Sequence, residues 1–146
     1  MSAALWKPDA ARIESARLSR FIDFLNERHE LALGRDYFAL QDWALSAPEP
    51  FWQAVWDFGE VIASEPAQAV LADAERFPGA SWFPGARLNF AENLLRRRAV
   101  SPALVALLEN GQRSELSHAA LYAQVAALAA ALRAEGVGPG APPPPP

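Results

Sequence analysis

Hydrophobic positions in the first half of this chain recur with the period of a helix; beyond residue 100 the pattern changes to runs and turns. Leu18, Phe21, Ile22 and Leu25 fall three and four residues apart, with Arg12, Glu14, Arg17, Arg20 and Glu27 on other faces. That spacing predicts one helix from Asp9 to about His29. Met1 to Pro8 reads as a loose arm with Leu5 and Trp6 as anchors. Gly34 marks a break, and Asp36 is placed to cap a short helix over Tyr37 to Leu45 carrying Phe38 and Trp43. Pro48 and Pro50 suit a first helical turn, with Ser46 as its cap. In that helix Glu49, Gln53, Asp57 and Glu60 form a polar stripe, and Trp52, Val55, Trp56 and Gly59 form the opposite, core-facing side.

Val61 to Ser81 reads as loop, with a short extended edge around Ala69 to Ala72. Trp82-Phe83-Pro84-Gly85 then predicts a tight turn, because proline fixes one φ angle and glycine permits an unusual one. Asn89, with Glu92 three residues on, forms a capping-box pattern at the start of a short helix. Phe90, Leu94 and Leu95 supply its expected buried side, and Arg96, Arg97 and Arg98 match its negative dipole end. From Pro102 the period changes. Ala103 to Leu108 is an apolar strand, Asn110-Gly111 signals a two-residue hairpin, and Gln112 to Leu116 returns antiparallel. Ser117 caps a long helix to about Glu135, with Leu121, Val125, Leu128 and Leu132 as its core stripe and Gly136 just past its end. The fold class is therefore α+β, mostly helical at first and closing on a β-hairpin and a long helix. The hairpin offers only one partner for an apolar strand, so the region beyond residue 100 is expected to be prone to association or only partly ordered.

Composition narrows the classes. Of the 146 residues 51% are hydrophobic, enough to build a core. A formal charge of −4 argues against nucleic acid or an anionic membrane as partner. No stretch is long and apolar enough for a membrane span or a signal peptide. The absence of cysteine excludes disulfides and thiol chemistry and fits a cytoplasmic setting.

Several residues invite a chemical reading. Trp52 and Trp56, one turn apart, resemble a stacking platform, but the acidic stripe on their helix would repel phosphate and favours plain packing. Arg87 and Arg96 to Arg98 suggest an anion site, yet a helix C-terminus favours cations and makes a solvated end the simpler reading. Asn89 and Glu92 already have a sufficient role as a cap. His29 and His118 stand far apart, with no cysteine or carboxylate cluster at metal-ligand spacing.

The run Trp82-Phe83-Pro84-Gly85-Ala86-Arg87-Leu88-Asn89-Phe90-Ala91-Glu92-Asn93-Leu94-Leu95 resembles the N-terminal region of acetoacetyl-CoA synthetases, in the adenylate-forming acyl-CoA ligase superfamily. Leu5-Trp6, Phe24 to His29, Phe51 to Trp56 and Ala134 to Gly140 are similar to the same family in the same order. The resemblance implies an N-terminal region over 1–98, the start of an AMP-binding domain over 99–140, and a Pro-rich tail, expected to be disordered, over 141–146. It further implies that the hairpin and long helix open that α/β domain, whose next segment would be a buried strand. Here Ala141 and five prolines follow instead. They suggest a truncation or a shifted reading frame, or else a polyproline ligand for an aromatic-lined domain.

A full-length member of such a family uses ATP, magnesium and CoA. That chemistry needs a Gly- and Ser/Thr-rich phosphate loop and a lysine at the acyl carboxylate. The sequence has no Gly-rich run before Gly136, and its only lysine is Lys7, in the arm. No catalytic, cofactor-binding or metal-ligating residue is assigned, and no cofactor is expected to bind this chain. Two functions follow as expectations: a ligase fragment, inactive alone, that packs against a catalytic domain, or a free-standing helical interaction module. No obligate protein partner is legible.

Overall fold

A computed structural model describes residues 5–138 and Gly140; the Pro-rich tail and the first four residues lie outside them. The elements run α1 (Ala10–Ser15), α2 (Arg17–His29), α3 (Tyr37–Ser46), α4 (Pro48–Phe58), β1 (Leu71–Ala72), β2 (Ser81–Trp82), α5 (Phe90–Leu94), β3 (Pro102–Leu107), β4 (Arg113–Ser117) and α6 (His118–Ala134). Two compact units meet in sequence at Leu88 and Asn89.

The single helix expected over Asp9 to His29 is two. Asp9 caps α1 by accepting from the Arg12 N–H at 2.7 Å, but at Ala16 the backbone turns extended, with φ −65° and ψ 145°. Two hydroxyls explain why this interruption is tolerated. Ser15 Oγ donates to the Arg12 carbonyl and Ser19 Oγ to the Ile13 carbonyl, at 3.2 and 2.5 Å, the latter adding to the bond that Ile13 already accepts from the Ala16 N–H. Leu5 is fully exposed rather than an anchor, whereas Trp6 carries the Arg12 guanidinium 5.6 Å from its ring centre.

The core of the first unit is Phe21, Ile22 and Leu25 of α2, Leu40 of α3 and Ala54 of α4, with Phe24, Leu31, Leu33, Trp43, Phe51, Val55 and Phe58 packed around it. The core-facing side of α4 is thus Phe51, Ala54, Val55 and Phe58, one position off the expected face. The expected Trp52 and Trp56 flank it. Phe58 lies 5.1 Å from Phe21 and 5.6 Å from Phe24, ring centre to ring centre. Asp36 caps α3, accepting from the Phe38 N–H at 2.8 Å. Ser46 does not cap α4: it is still inside α3, and its hydroxyl donates to the Trp43 carbonyl. Ala47 takes the N-cap position without a side-chain bond. Prolines 48 and 50 lower the need for one, since neither has an N–H to satisfy.

The α2–α3 connection is held by two side chains. Asn26 accepts from the Leu33 N–H and donates to the Leu33 carbonyl, each at 2.9 Å, as a paired strand would. Arg35 grips Asp23 with both guanidinium nitrogens at 2.6 and 3.0 Å and reaches Glu14 and the Ser19 carbonyl at 3.1 Å each.

Val61 to Ser81 is less of a loop than expected. The segment from Ser64 to Ala72 runs antiparallel to Ser81–Arg87: Leu71 pairs with Trp82 and Ala72 with Ser81. Phe83 N–H donates to Val70, Gln68 N–H to Pro84, and Arg87 and Glu65 form an isolated bridge. The missed signal is the partner. A two-residue strand carries too few positions for alternation to be visible.

In the second unit Asn89 caps α5, accepting from the Glu92 N–H at 3.2 Å. The helix is a single turn, so Phe90 and Leu94, expected to be buried, stay exposed. Arg98 is carried past the helix end to lie 3.3 Å over the Tyr122 ring. The hairpin loop has three residues, not two: Leu108 N–H donates to Gln112, Gly111 N–H donates back to Leu108, and Gly111 adopts φ 80°. This is a type I turn closed by a left-handed glycine, so Asn110 need not adopt positive φ. Ser117 caps α6, accepting from Ala120 N–H. Gly136 at φ 84° and the bonds Gly136 N–H to Arg133 and Val137 N–H to Leu132 close its other end in a Schellman motif. Of its expected stripe, Leu121 and Val125 are half-buried but Leu128 and Leu132 are exposed, because the short strands give only the first turns of the helix a partner. No described helix is long and apolar enough to cross a membrane.

The Arg35 clamp makes a pH prediction. Hydrogen bonding to Arg35, with its charge, holds the Asp23 carboxyl below its ordinary value of 3.8. A depressed folded-state value means the stabilisation is complete above the unfolded-state value and is lost as pH falls through the folded one. Arg35→Met is expected to remove that part of the acid dependence. The check is thermal midpoints of the two proteins from pH 7 to pH 2: they should converge as pH falls below 3.8, and a constant gap would refute the clamp.

Candidate functional site

The first unit presents an aromatic cleft where α4 meets the Trp82 turn. α4 points its core side inward, which leaves Trp52 and Trp56 to face the ladder. Trp52 stands edge-on to Trp82, ring centres 5.7 Å apart, and Trp56 lies against Phe83 at 4.6 Å. Phe83 has φ 48°, a left-handed conformation that costs an L-residue roughly 1–2 kcal/mol. Pro84 and Gly85, at φ 82°, follow as the central residues of a type II turn closed by Ala86 N–H to Phe83 O at 3.1 Å. A side chain at Gly85 would also meet Gln68, whose Cγ and Nε2 lie 3.1 Å from the Cβ position.

Two cavities border these rings. One, of about 380 Å³, is lined by Trp52, Trp82 and Phe83. The other, of about 340 Å³, is bounded among others by Gln53, Trp56, Val61 and Phe83. Trp52 and Trp82 are 42% and 46% exposed, so both indoles are partly covered and partly open to solvent. The arrangement can hold an apolar or aromatic group. It carries no nucleophile: Gln53, its one polar side chain at the second cavity, donates to Asp57, which in turn pairs with Arg28 at 2.6 Å.

The other sequence candidates fall elsewhere. Arg87 is part of the ladder: its N–H bonds Glu65, its carbonyl accepts from Ser64, and its guanidinium pairs with Glu65 at 3.3 Å. His29 packs on Trp43 at 5.2 Å with a buried Nε2, and His118 begins α6, in the other unit. Lys7 is exposed in the arm. Among the described residues no three of His, Asp and Glu gather as a metal site. Trp52 and Trp56 stood out in the sequence as a pair, whereas Trp82 and Phe83, which complete their cleft, did not. The two tryptophans needed a second apolar partner once Phe51 and Phe58 had claimed the core, and that mismatch was the available signal.

Residues 37–94 match the family described as acetyl-coenzyme A synthetase N-terminus, from the first residue of α3 to the last of α5. Over 93% of its length the chain is 41% identical to the acetoacetyl-coenzyme A synthetase of Rhizobium meliloti. Over 89% it is 31% identical to a malonamoyl-CoA synthetase of Penicillium aethiopicum. Its fold matches the acetoacetyl-CoA synthetase from Streptomyces lividans with a TM-score of 0.81 and 43% identity over 95% of this chain. The chain spans 21% of the Rhizobium protein, 18% of the Penicillium protein and 22% of the Streptomyces structure. In sequence and in fold it corresponds to the N-terminal region of acetoacetyl-CoA synthetases.

The Asn89 cap generates a local prediction. Asn89→Ala should weaken α5 by about 1 kcal/mol, read as roughly fivefold faster hydrogen exchange at the Glu92 amide. Amides of α2 should be unchanged. Equal acceleration in both would contradict a purely local cap.

Proposed function

We propose that this chain serves as the N-terminal region of an acetoacetate–CoA ligase, supplying a packed platform to the catalytic body and performing no ligation alone. The similarity along the chain to the first fifth of acetoacetyl-CoA synthetases carries this reading. In such a ligase the carboxylate attacks ATP to give an acyl-adenylate and pyrophosphate, and the CoA thiol then displaces AMP. Both steps concentrate negative charge and call for magnesium, a phosphate-cradling loop and a lysine. Several large apolar side chains also stand exposed, among them Phe38, Phe77, Phe90 and Leu94, which suits contact with a protein surface. The same region accompanies a relative named for malonamoyl-CoA and relatives named for acetoacetyl-CoA. That supports placing the choice of acyl group outside residues 1–140.

A second reading is a free-standing helical interaction module. It is favoured by one observation: the first unit closes its own core around Phe21, Ile22, Leu25, Leu40 and Ala54.

Two measurements separate the readings. The purified chain with ATP, magnesium, CoA and acetoacetate is expected to form no thioester; ATP- and CoA-dependent product would overturn the platform reading. Added to the Rhizobium synthetase deleted for the matching fifth of its sequence, the chain is expected to bind and to raise residual ligase activity. Absence of binding would favour the module.

A further inference from the structure

Within the first unit, α1 is attached differently from the other helices. α2 buries Ser19, Phe21, Ile22 and Leu25, whereas α1 buries none of its residues. Ile13, its one large apolar side chain, is 36% exposed. A hollow of about 280 Å³ lies beside it, lined by Pro8 and Ile13 from the α1 side and by Leu18, Ile22 and Tyr37 from the body. Across that space the dispersion contacts that would hold α1 are missing. The core of the unit contains no residue of α1, so it closes without this helix.

The backbone divides at the same place. Beyond the extended Ala16, Arg20 N–H donates to the Ala16 carbonyl at 3.2 Å, so α2 starts its own ladder and needs nothing from α1. α1 likewise carries its own start: Asp9 accepts from Arg12 N–H through its side chain and from Ile13 N–H through its carbonyl, and the Arg12 guanidinium covers Trp6. Arm and helix therefore form one piece, hinged at Ala16. Among the described residues two side-chain bonds cross that hinge, Glu14 to Arg35 at 3.1 Å and Ser19 Oγ to the Ile13 carbonyl at 2.5 Å. On the body side the first is preformed. Asp23 holds Arg35 through both guanidinium nitrogens, and the Ser19 carbonyl accepts from it, so Arg35 stays in place when Glu14 leaves.

We propose that α1 is a strap hinged at Ala16 and latched by Glu14 on Arg35, which opens while α2, α3 and α4 stay folded. Opening uncovers the apolar floor of the hollow, Leu18, Ile22 and Tyr37. A six-residue helix released from the body is too short to persist in water, so the open strap also loses its own backbone bonds. The latch is ionic and the Glu14 side chain is 63% exposed, so salt weakens it.

Hydrogen exchange of the full 146-residue chain, followed amide by amide, tests the strap. At low salt the Ile13 amide is expected to exchange at least about tenfold faster than the Leu25 amide of α2. Glu14→Gln, a change at an exposed position, should quicken Ile13 by about two- to fivefold, the range of an exposed ion pair, and leave Leu25 unchanged. Raising sodium chloride from about 0.05 M to about 1 M should quicken Ile13 relative to Leu25 in the unmodified chain and have no such effect in Glu14→Gln. Equal exchange at Ile13 and Leu25, an unchanged Ile13 rate in Glu14→Gln, or a salt response that survives that substitution would overturn the proposal.

Discussion

The first unit depends on how closely α2 and α4 approach across Ala54. This residue has no measurable exposure and no atoms beyond Cβ, so α2 can settle on the backbone of α4. Phe21 then fits between Phe51 at 6.0 Å and Phe58 at 5.1 Å, and Ile22 and Leu25 are sealed. Sealing two such side chains is worth about 1.5–3 kcal/mol each. A larger residue at position 54 would push the helices apart, and the loss would fall on all three at once. Leu40 and Trp43 of α3 and the loop residues Leu31 and Leu33 pack onto the surface that this contact creates.

The same helix sets up the second layer of the unit. With Phe51, Ala54, Val55 and Phe58 committed inward, Trp52 and Trp56 must find cover on the other flank, and the ladder from Ser64 to Arg87 supplies it. Trp56 against Phe83 backs a residue held in a left-handed conformation, a strain that persists only where surroundings over-determine it. The bonds from Phe83 to Val70 and from Gln68 to Pro84 then satisfy backbone that would otherwise need water. Core packing and turn geometry are therefore coupled through one helix, the indole side of α4 depending on its phenylalanine side.

What the sequence disclosed was mainly local. Asp36, Asn89, Ser117 and Gly136 were legible because a cap or a left-handed helix end needs only one residue type at one place. The hairpin strands were legible from the change of period after Pro102. The core face of α4 was not, because Phe51, Trp52, Val55, Trp56 and Phe58 put apolar groups on two stripes, and only α2 decides between them. Asn26 and Arg35 were invisible for a similar reason: each acts on a backbone or carboxylate brought near by the fold, seven to twenty-one residues away in sequence. The break at Ala16 is accommodated by hydroxyl contacts that no periodicity encodes. Of the aromatic cleft, one wall was foreseen as a tryptophan pair and the other, Trp82 and Phe83, was read only as a turn.

The two units rest on different physics. The first is ordered by burial, with few caps on α2 and α4 and much aromatic contact. The second contains no fully buried residue among those described, and its order comes from termini: Ser117 and the Schellman closure on α6, Asn89 on α5, Gly111 in the hairpin, and Arg98 over Tyr122. Each such device contributes on the order of 1 kcal/mol and acts over a few residues, so none compensates for the loss of another far away. Burial, by contrast, ties distant segments into one cooperative transition. A region with so little burial is expected to open more readily than the first unit, and its apolar strand gains most from any surface that covers it. For residues 99–138, a surface covering that strand would add more order than a further cap could.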